Sequence, residues 1–278
     1  MKKILTLITL LFAPMLRAGT VNGVEYGRAG DERLTLDVMA PEGAGPFAAV
    51  IFVHGGGWMS DDTKVNCVPL FAPLERAGFV TFMVRYRLAP AHPWPACVED
   101  VETAIRWVKA HAAEYRVDPR RIALMGESAG GEIVQMAAVR ATEATRLAAL
   151  VAIYAPCDCA SDSVRRGGPS KSMQALLGVG EKLDVEAEEK IRAVSPLNFV
   201  NSRLSPCLVI HGTADKSVPY DQSLLWQARL RSFGITCDLI TVSDAPHGIG
   251  RWETMPGLDL SYKTKLVEWL ATTLGKGK

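Results

Sequence analysis

The sequence has almost no net charge and, past its first twenty residues, no long hydrophobic run. Over 278 residues, 31 basic side chains face 30 acidic ones, a formal charge of +1. A nucleic-acid binder needs a basic surplus on one face to neutralise phosphates, and this balance offers none. A membrane-crossing helix needs about 20 consecutive apolar residues, so no stable span is expected beyond the start of the chain. There is no internal repeat and no low-complexity linker. Histidine is scarce, at five residues. Cys157-Asp158-Cys159 has no second Cys or His pair at metal-ligand spacing, which excludes a zinc knuckle. The composition is that of a globular protein, 48% hydrophobic and 22% charged. One α/β domain of this size buries a full core.

The first eighteen residues have the grammar of a secretory signal peptide. A basic start, Met1-Lys2-Lys3, precedes an apolar stretch from Ile4 to Leu16, and Arg17-Ala18-Gly19 supplies small residues for cleavage. Cleavage after Ala18 removes three basic residues and no acid, so the slight basicity belongs to the leader. A secreted or periplasmic location is expected, and an uncleaved N-terminal anchor is the other reading. Residues 19–278 then form a single domain.

Six cysteines fit an exported chain, and fifteen complete pairings are available to them. Buried thiols are as good an expectation as disulfides. Cys207 and Cys237 each open a late strand. If those strands are parallel neighbours, the two lie within reach of a disulfide in an oxidising compartment. A buried thiol pair is the default.

After an antiparallel opening pair (Val24 to Arg28, then Arg33 to Val38), buried apolar runs alternate with helical patterns. Strands are expected at 48–53, 79–85, 121–125, 148–154, 207–210 and 236–242. Helices are expected at 65–76, 97–111, 129–140, 220–233 and 262–274. This alternation predicts an α/β fold, a doubly wound and mostly parallel sheet covered by helices on both faces. Residues 158–205 break the rhythm with a polar stretch and a mixed helical piece from Ser172 to Val194. They read as a short cap inserted beside the strand carboxyl ends, where ligands bind in such sheets.

Chemistry concentrates at three places. Gly126-Glu127-Ser128-Ala129-Gly130 joins a strand to a helix with the spacing of a nucleophile elbow, in which small flanking residues let the Ser128 hydroxyl stand clear of the sheet. His54-Gly55-Gly56-Gly57-Trp58 follows another strand. Consecutive glycines can turn backbone N–H groups toward a ligand. Those of Gly56 and Gly57, with that of Ala129, are candidates to hold an oxyanion. The run lacks the Lys-Ser/Thr of a P-loop and the spacing of a dinucleotide site. Trp58 is a candidate substrate contact. An order of Ser, then Asp, then His is required on such a sheet. Asp215, in His211-Gly-Thr-Ala-Asp215, and His247, in Asp244-Ala-Pro-His247-Gly248, satisfy it.

With these residues the chain resembles the α/β-hydrolase superfamily. Within it, the likeness is to the esterase/lipase group related to hormone-sensitive lipase and to the bacterial feruloyl and acetyl (BD-FAE-like) esterases. The stretches Arg85-Tyr-Arg-Leu-Ala-Pro-Ala-His-Pro93, Val98-Glu-Asp100 and Val218-Pro219 extend the likeness, which runs from about residue 46 to the C-terminus. Between Gly19 and Arg33 there is no room for N-terminal cap helices, which shifts the resemblance toward the compact feruloyl/acetyl type. Ala91 stands where the family often has Glu. The resemblance implies an α/β-hydrolase fold and a serine carboxylic-ester hydrolase with no metal or organic cofactor. Ser128, Asp215 and His247 would be its catalytic residues, acting on small acyl esters of the acetyl or feruloyl type, including those of carbohydrate. An amidase or formamidase would use the same three residues, and a non-catalytic binding module on this fold is the reading from another class.

Overall fold

The computed structural model describes residues 19–61 and 66–275. The leader expected at residues 1–18 and the start of the helix expected at Val65 lie outside these residues. The strands are β1 (Gly19–Ala29), β2 (Glu32–Ala40), β3 (Phe47–Val53), β4 (Phe79–Val84), β5 (Val117–Glu127), β6 (Ala149–Ile153), β7 (Cys207–Gly212) and β8 (Cys237–Val242). They form one eight-stranded sheet in the order β1-β2-β4-β3-β5-β6-β7-β8. The β1–β2 and β2–β4 pairs are antiparallel, and every other pair is parallel. This is the mostly parallel sheet that the alternation of elements predicts, and the α/β-hydrolase fold that the resemblance implies.

The central parallel strands β3, β6 and β7 are buried on both faces, because helices cover both sides, while the edge strand β8 is partly exposed. Along β3, Ala49, Ile51 and Val53 join one core cluster, while Ala48, Val50 and Phe52 join the other. The first cluster is closed by α2 (Ala96–Ala110), α3 (Ser128–Val139) and α7 (Asp221–Ser232). The second is closed by α1 (Val68–Arg76), the short α8 (Ile249–Trp252) and α9 (Tyr262–Leu274). Among the described residues, no helix is long and apolar enough to cross a membrane.

The insertion between β6 and β7 holds α4 (Cys159–Arg166), α5 (Lys171–Leu177) and α6 (Val185–Ala193), followed by a 3-10 turn at Pro196–Phe199. The sequence reading missed α4, because its polar residues hide a well-signalled helix. Asp158 caps it by accepting the Ser161 N–H at 3.0 Å, and Gly167 ends it in the left-handed region at φ +78°. Asp162 pairs with Arg165 and Arg166 one turn on. The segment is also pinned where it leaves and rejoins the core. Leu197 N–H donates to the Cys157 carbonyl at 3.0 Å, and Cys159 N–H donates to Ser195 Oγ at 3.1 Å.

β7 and β8 are parallel neighbours with Cys207 directly opposite Cys237, so the expected juxtaposition is present. All six cysteines are buried free thiols, and the disulfide weighed for this pair is not formed. Burial pushes the Cys207 thiol well above its ordinary pKa, with contact from Cys237 acting in the same direction. The Cys207 thiol is thus not poised as a reactive thiolate. A thiol reagent should titrate none of the six cysteines of the native protein rapidly. All six should react once the chain is unfolded in guanidinium. Four equivalents instead of six would reveal a cross-link.

Candidate active site

β5 passes into α3 without an intervening loop, and Ser128 takes the turn at φ +53°. A non-glycine residue held there costs about 1–3 kcal/mol, so surrounding contacts must enforce it. Gly130 shows how. A Cβ at this position would collide with the Val53 and His54 carbonyl oxygens, so only glycine lets the first turn of α3 lie against the end of β3. That contact places the elbow beside the glycine run.

The run itself is folded back tightly. Gly56 has φ +96°, and its carbonyl accepts from both the Met59 and Ser60 N–H groups at 3.1 Å. Glu127, fully buried next to the serine, accepts the Gly55 N–H at 2.5 Å. Tyr154, also fully buried, accepts the Ile249 N–H at 3.1 Å through its hydroxyl. One buried carboxylate thus connects the elbow to the glycine run, while Tyr154, just past β6, holds the loop that carries His247.

Asp215 and His247 follow the last two strands of the sheet. Ser128 Oγ donates to His247 Nε2 at 2.9 Å, and His247 Nδ1 donates to Asp215 Oδ2 at 2.6 Å. The Asp215 side chain has no exposed surface, whereas that of His247 is 22% exposed. Burial works to raise the Asp215 pKa. Hydrogen bonds from His211 and His247, with Val218 N–H on the other oxygen, outweigh burial and hold the carboxyl well below its usual range. An ionised carboxylate on Nδ1–H leaves Nε2 as an acceptor facing the serine.

His211 was not singled out by the sequence, since chain order favoured the later histidine. Its Nε2 lies 3.0 Å from the Val218 carbonyl and 3.3 Å from Asp215 Oδ2, both acceptors, so this nitrogen carries the hydrogen. Its Nδ1 then accepts from the Ser223 hydroxyl at 2.6 Å. The aspartate therefore sits between two imidazoles. The nearby signal in the sequence was a histidine closing a strand four residues before the candidate acid.

Gly56, Gly57 and Ala129 line one pocket with Ser128 and His247, a cleft of about 450 Å³. Ala129 stands in the first turn of α3, where N–H groups have no intrahelical acceptor. Trp58 lines the same pocket, but the residue is only 6% exposed and its indole N–H donates to Glu132 Oε2 at 2.9 Å. It anchors the glycine run to α3 more than it offers a surface to substrate. Glu132, one turn after Ser128 in a mostly apolar helix, was also overlooked. It is fully buried, and among the described residues its Oε1 has no hydrogen-bond partner.

The model of the BD-FAE family matches residues 36–230, and the chain belongs to that family. Esterase LipQ of Mycobacterium tuberculosis is 30% identical over 78% of this chain and 54% of its own length. The chain spans about half the length of the curated relatives it matches first. Among solved structures, a truncated carbohydrate esterase from gut microbiota superposes with a TM-score of 0.78 at 25% identity. That match covers 95% of this chain and 99% of the other. Esterase 2 of Thermogutta terrifontis gives a TM-score of 0.74 at 25% identity, over 94% of this chain and 95% of its own. It has also been solved with propionate bound, with butyrate bound and phosphoramylated by tabun.

Burial pushes the Glu132 pKa up to about 8, against the opposing donation from Trp58. Between the ordinary carboxylate pKa and this value, the unfolded chain releases a proton that the native state keeps. Stability therefore falls as pH rises through that window, by up to about 1.4 kcal/mol per pH unit for this group. Glu132→Gln retains an acceptor for Trp58 and removes the titration. Urea unfolding from pH 5 to pH 8 should show the variant overtaking the wild type in stability as pH rises. Parallel curves would contradict the assignment.

Proposed function

We propose that the protein is a serine carboxylic-ester hydrolase acting on small acyl esters of the acetyl or feruloyl type, carbohydrate esters among them. The observation that carries this reading is the continuous relay from Ser128 Oγ through His247 to Asp215, at 2.9 and 2.6 Å. The esterase names of the relatives and structural neighbours support it.

In this reading Ser128 Oγ attacks the ester carbonyl carbon while His247 Nε2 takes its proton. The carbonyl oxygen becomes an oxyanion, held by N–H groups of Gly56, Gly57 and Ala129. One such donor is typically worth about 3 kcal/mol of transition-state stabilisation. Asp215 keeps the imidazole in the required tautomer and stabilises the imidazolium. Collapse of the tetrahedral intermediate breaks the ester C–O bond, and the leaving alkoxide takes the proton from His247. Water, deprotonated by His247, then attacks the acyl-enzyme, releasing the acid and restoring Ser128. The leader pattern of residues 1–18 supports action outside the cytoplasm, secreted or periplasmic.

Two measurements test the reading. Ser128→Ala should lower kcat for p-nitrophenyl acetate by about 10⁴–10⁶-fold with an unchanged circular dichroism spectrum. Near wild-type turnover would overturn the role of Ser128, and p-nitroacetanilide run alongside separates an esterase from an amidase. The cap is short and the cleft modest, so activity on p-nitrophenyl esters should peak at acyl chains of a few carbons. A sharp rise on long-chain triacylglycerols above their aggregation threshold would contradict the short-acyl preference.

A further inference from the structure

The cleft beside Ser128 has two walls of different chemistry. One is made of the glycine run, Trp58 and Ala129. The other is formed by α4 of the cap and the loop after β7, and it presents Asp162, Arg166, Lys216 and Ser217. Arg166 is held in place across this junction. Its Nε donates to Asp162 Oδ2 at 2.7 Å, and its Nη2 donates to the Ser217 carbonyl. Asp162 is shared with Arg165, so one carboxylate serves two guanidinium groups. Lys216 is exposed at the same wall and makes no ion pair among the described residues. The wall therefore carries surplus positive charge and no unclaimed acid. A guanidinium beside an ammonium suits a carboxylate, which both can hold through charge-assisted hydrogen bonds.

The position of this charge along the reaction follows from the chain. Lys216 is the residue after Asp215, and Asp215 holds His247. The histidine delivers its proton to the leaving oxygen, so the alcohol departs on the histidine side. The acyl oxygen is held on the glycine side.

We infer that the Arg166–Lys216 wall is an anion subsite for the alcohol portion of the substrate. The preferred substrates are then esters of hydroxy acids, such as acylated sugar acids in which a carboxylate accompanies the scissile ester. The inference rests on the esterase reading above and adds the chemical class of its alcohol.

The test compares acetate release from mono-O-acetyl galacturonate and from mono-O-acetyl galactose, with p-nitrophenyl acetate as a neutral reference. The wild type should favour the acid about tenfold in kcat/KM at low salt, an effect of the size expected for partly screened charges. Raising ionic strength should shrink the ratio. Lys216→Gln should bring it to about twofold, and Lys216→Glu should invert it. Lys216 is exposed, so both variants are expected to fold, and circular dichroism checks this. Equal rates on the two sugars, or an unchanged ratio in Lys216→Glu, would overturn the subsite while p-nitrophenyl acetate turnover leaves the esterase reading standing. No turnover of p-nitrophenyl acetate by the wild type overturns the esterase reading, and the subsite falls with it. A preference for p-nitrophenyl hemisuccinate over p-nitrophenyl butyrate, without one for the sugar acid, would put the charge on the acyl side and refute the placement.

Discussion

The first turn of α3 lies against the carbonyl end of β3 with no space for a side chain between them. That contact runs through Gly130, and much of the site depends on it. It sets the start of the helix next to the glycine run, so Ser128 and Gly56 share one cleft. It also helps to hold Ser128 in a backbone conformation that a free chain would leave. Glu127 reinforces the arrangement through Gly55, and Tyr154 ties in the His247 loop through the Ile249 N–H. Three chain segments far apart in sequence are thereby fixed by one steric contact, one buried carboxylate and one buried tyrosine. Preorganisation of this kind means that polar groups need not reorient when charge develops.

The charged part of the site follows a different logic. Asp215 is buried, which alone would favour its neutral form. It stays ionised because two imidazoles and backbone N–H groups surround it. His211 is itself held by Ser223 and Val218, so the support for the carboxylate extends into α7. Glu132 is the counter-example in the same protein. With one donor and an orphan oxygen, it cannot offset its burial, and it remains protonated where most carboxyls have ionised. The number of donors around each carboxyl decides which one carries charge near neutral pH.

Features that act over a few residues were legible in the sequence. The elbow could be read because its steric requirement falls within five positions, from Gly126 to Gly130. Asp215 and His247 were legible because a parallel sheet delivers its late strands in a fixed order, which excluded other histidines by position alone. The register of Cys207 against Cys237 followed from neighbouring strands, whereas their redox state does not follow from sequence. Orientation was the main thing hidden. Trp58 could be placed at the cleft, but the inward turn of its indole depends on Glu132, and nothing local in the sequence links two residues 74 apart. The helix Cys159–Arg166 was hidden because capping and charge pairs mark it, with few apolar residues along it. His211 matters through a contact made only after the loop to Asp215 has folded.

The bonds joining Cys157 to Leu197 and Cys159 to Ser195 give the insertion a narrow neck. A segment tied at its neck is thermodynamically close to a closed loop. Doubling the length of such a loop adds only about 0.6 kcal/mol of closure entropy. The roof of the cleft can therefore grow, shrink or be exchanged between related chains while the sheet beneath, with the elbow and glycine run, keeps its registry. The residues that roof the cleft and those that form the relay beneath it belong to units able to diverge at different speeds.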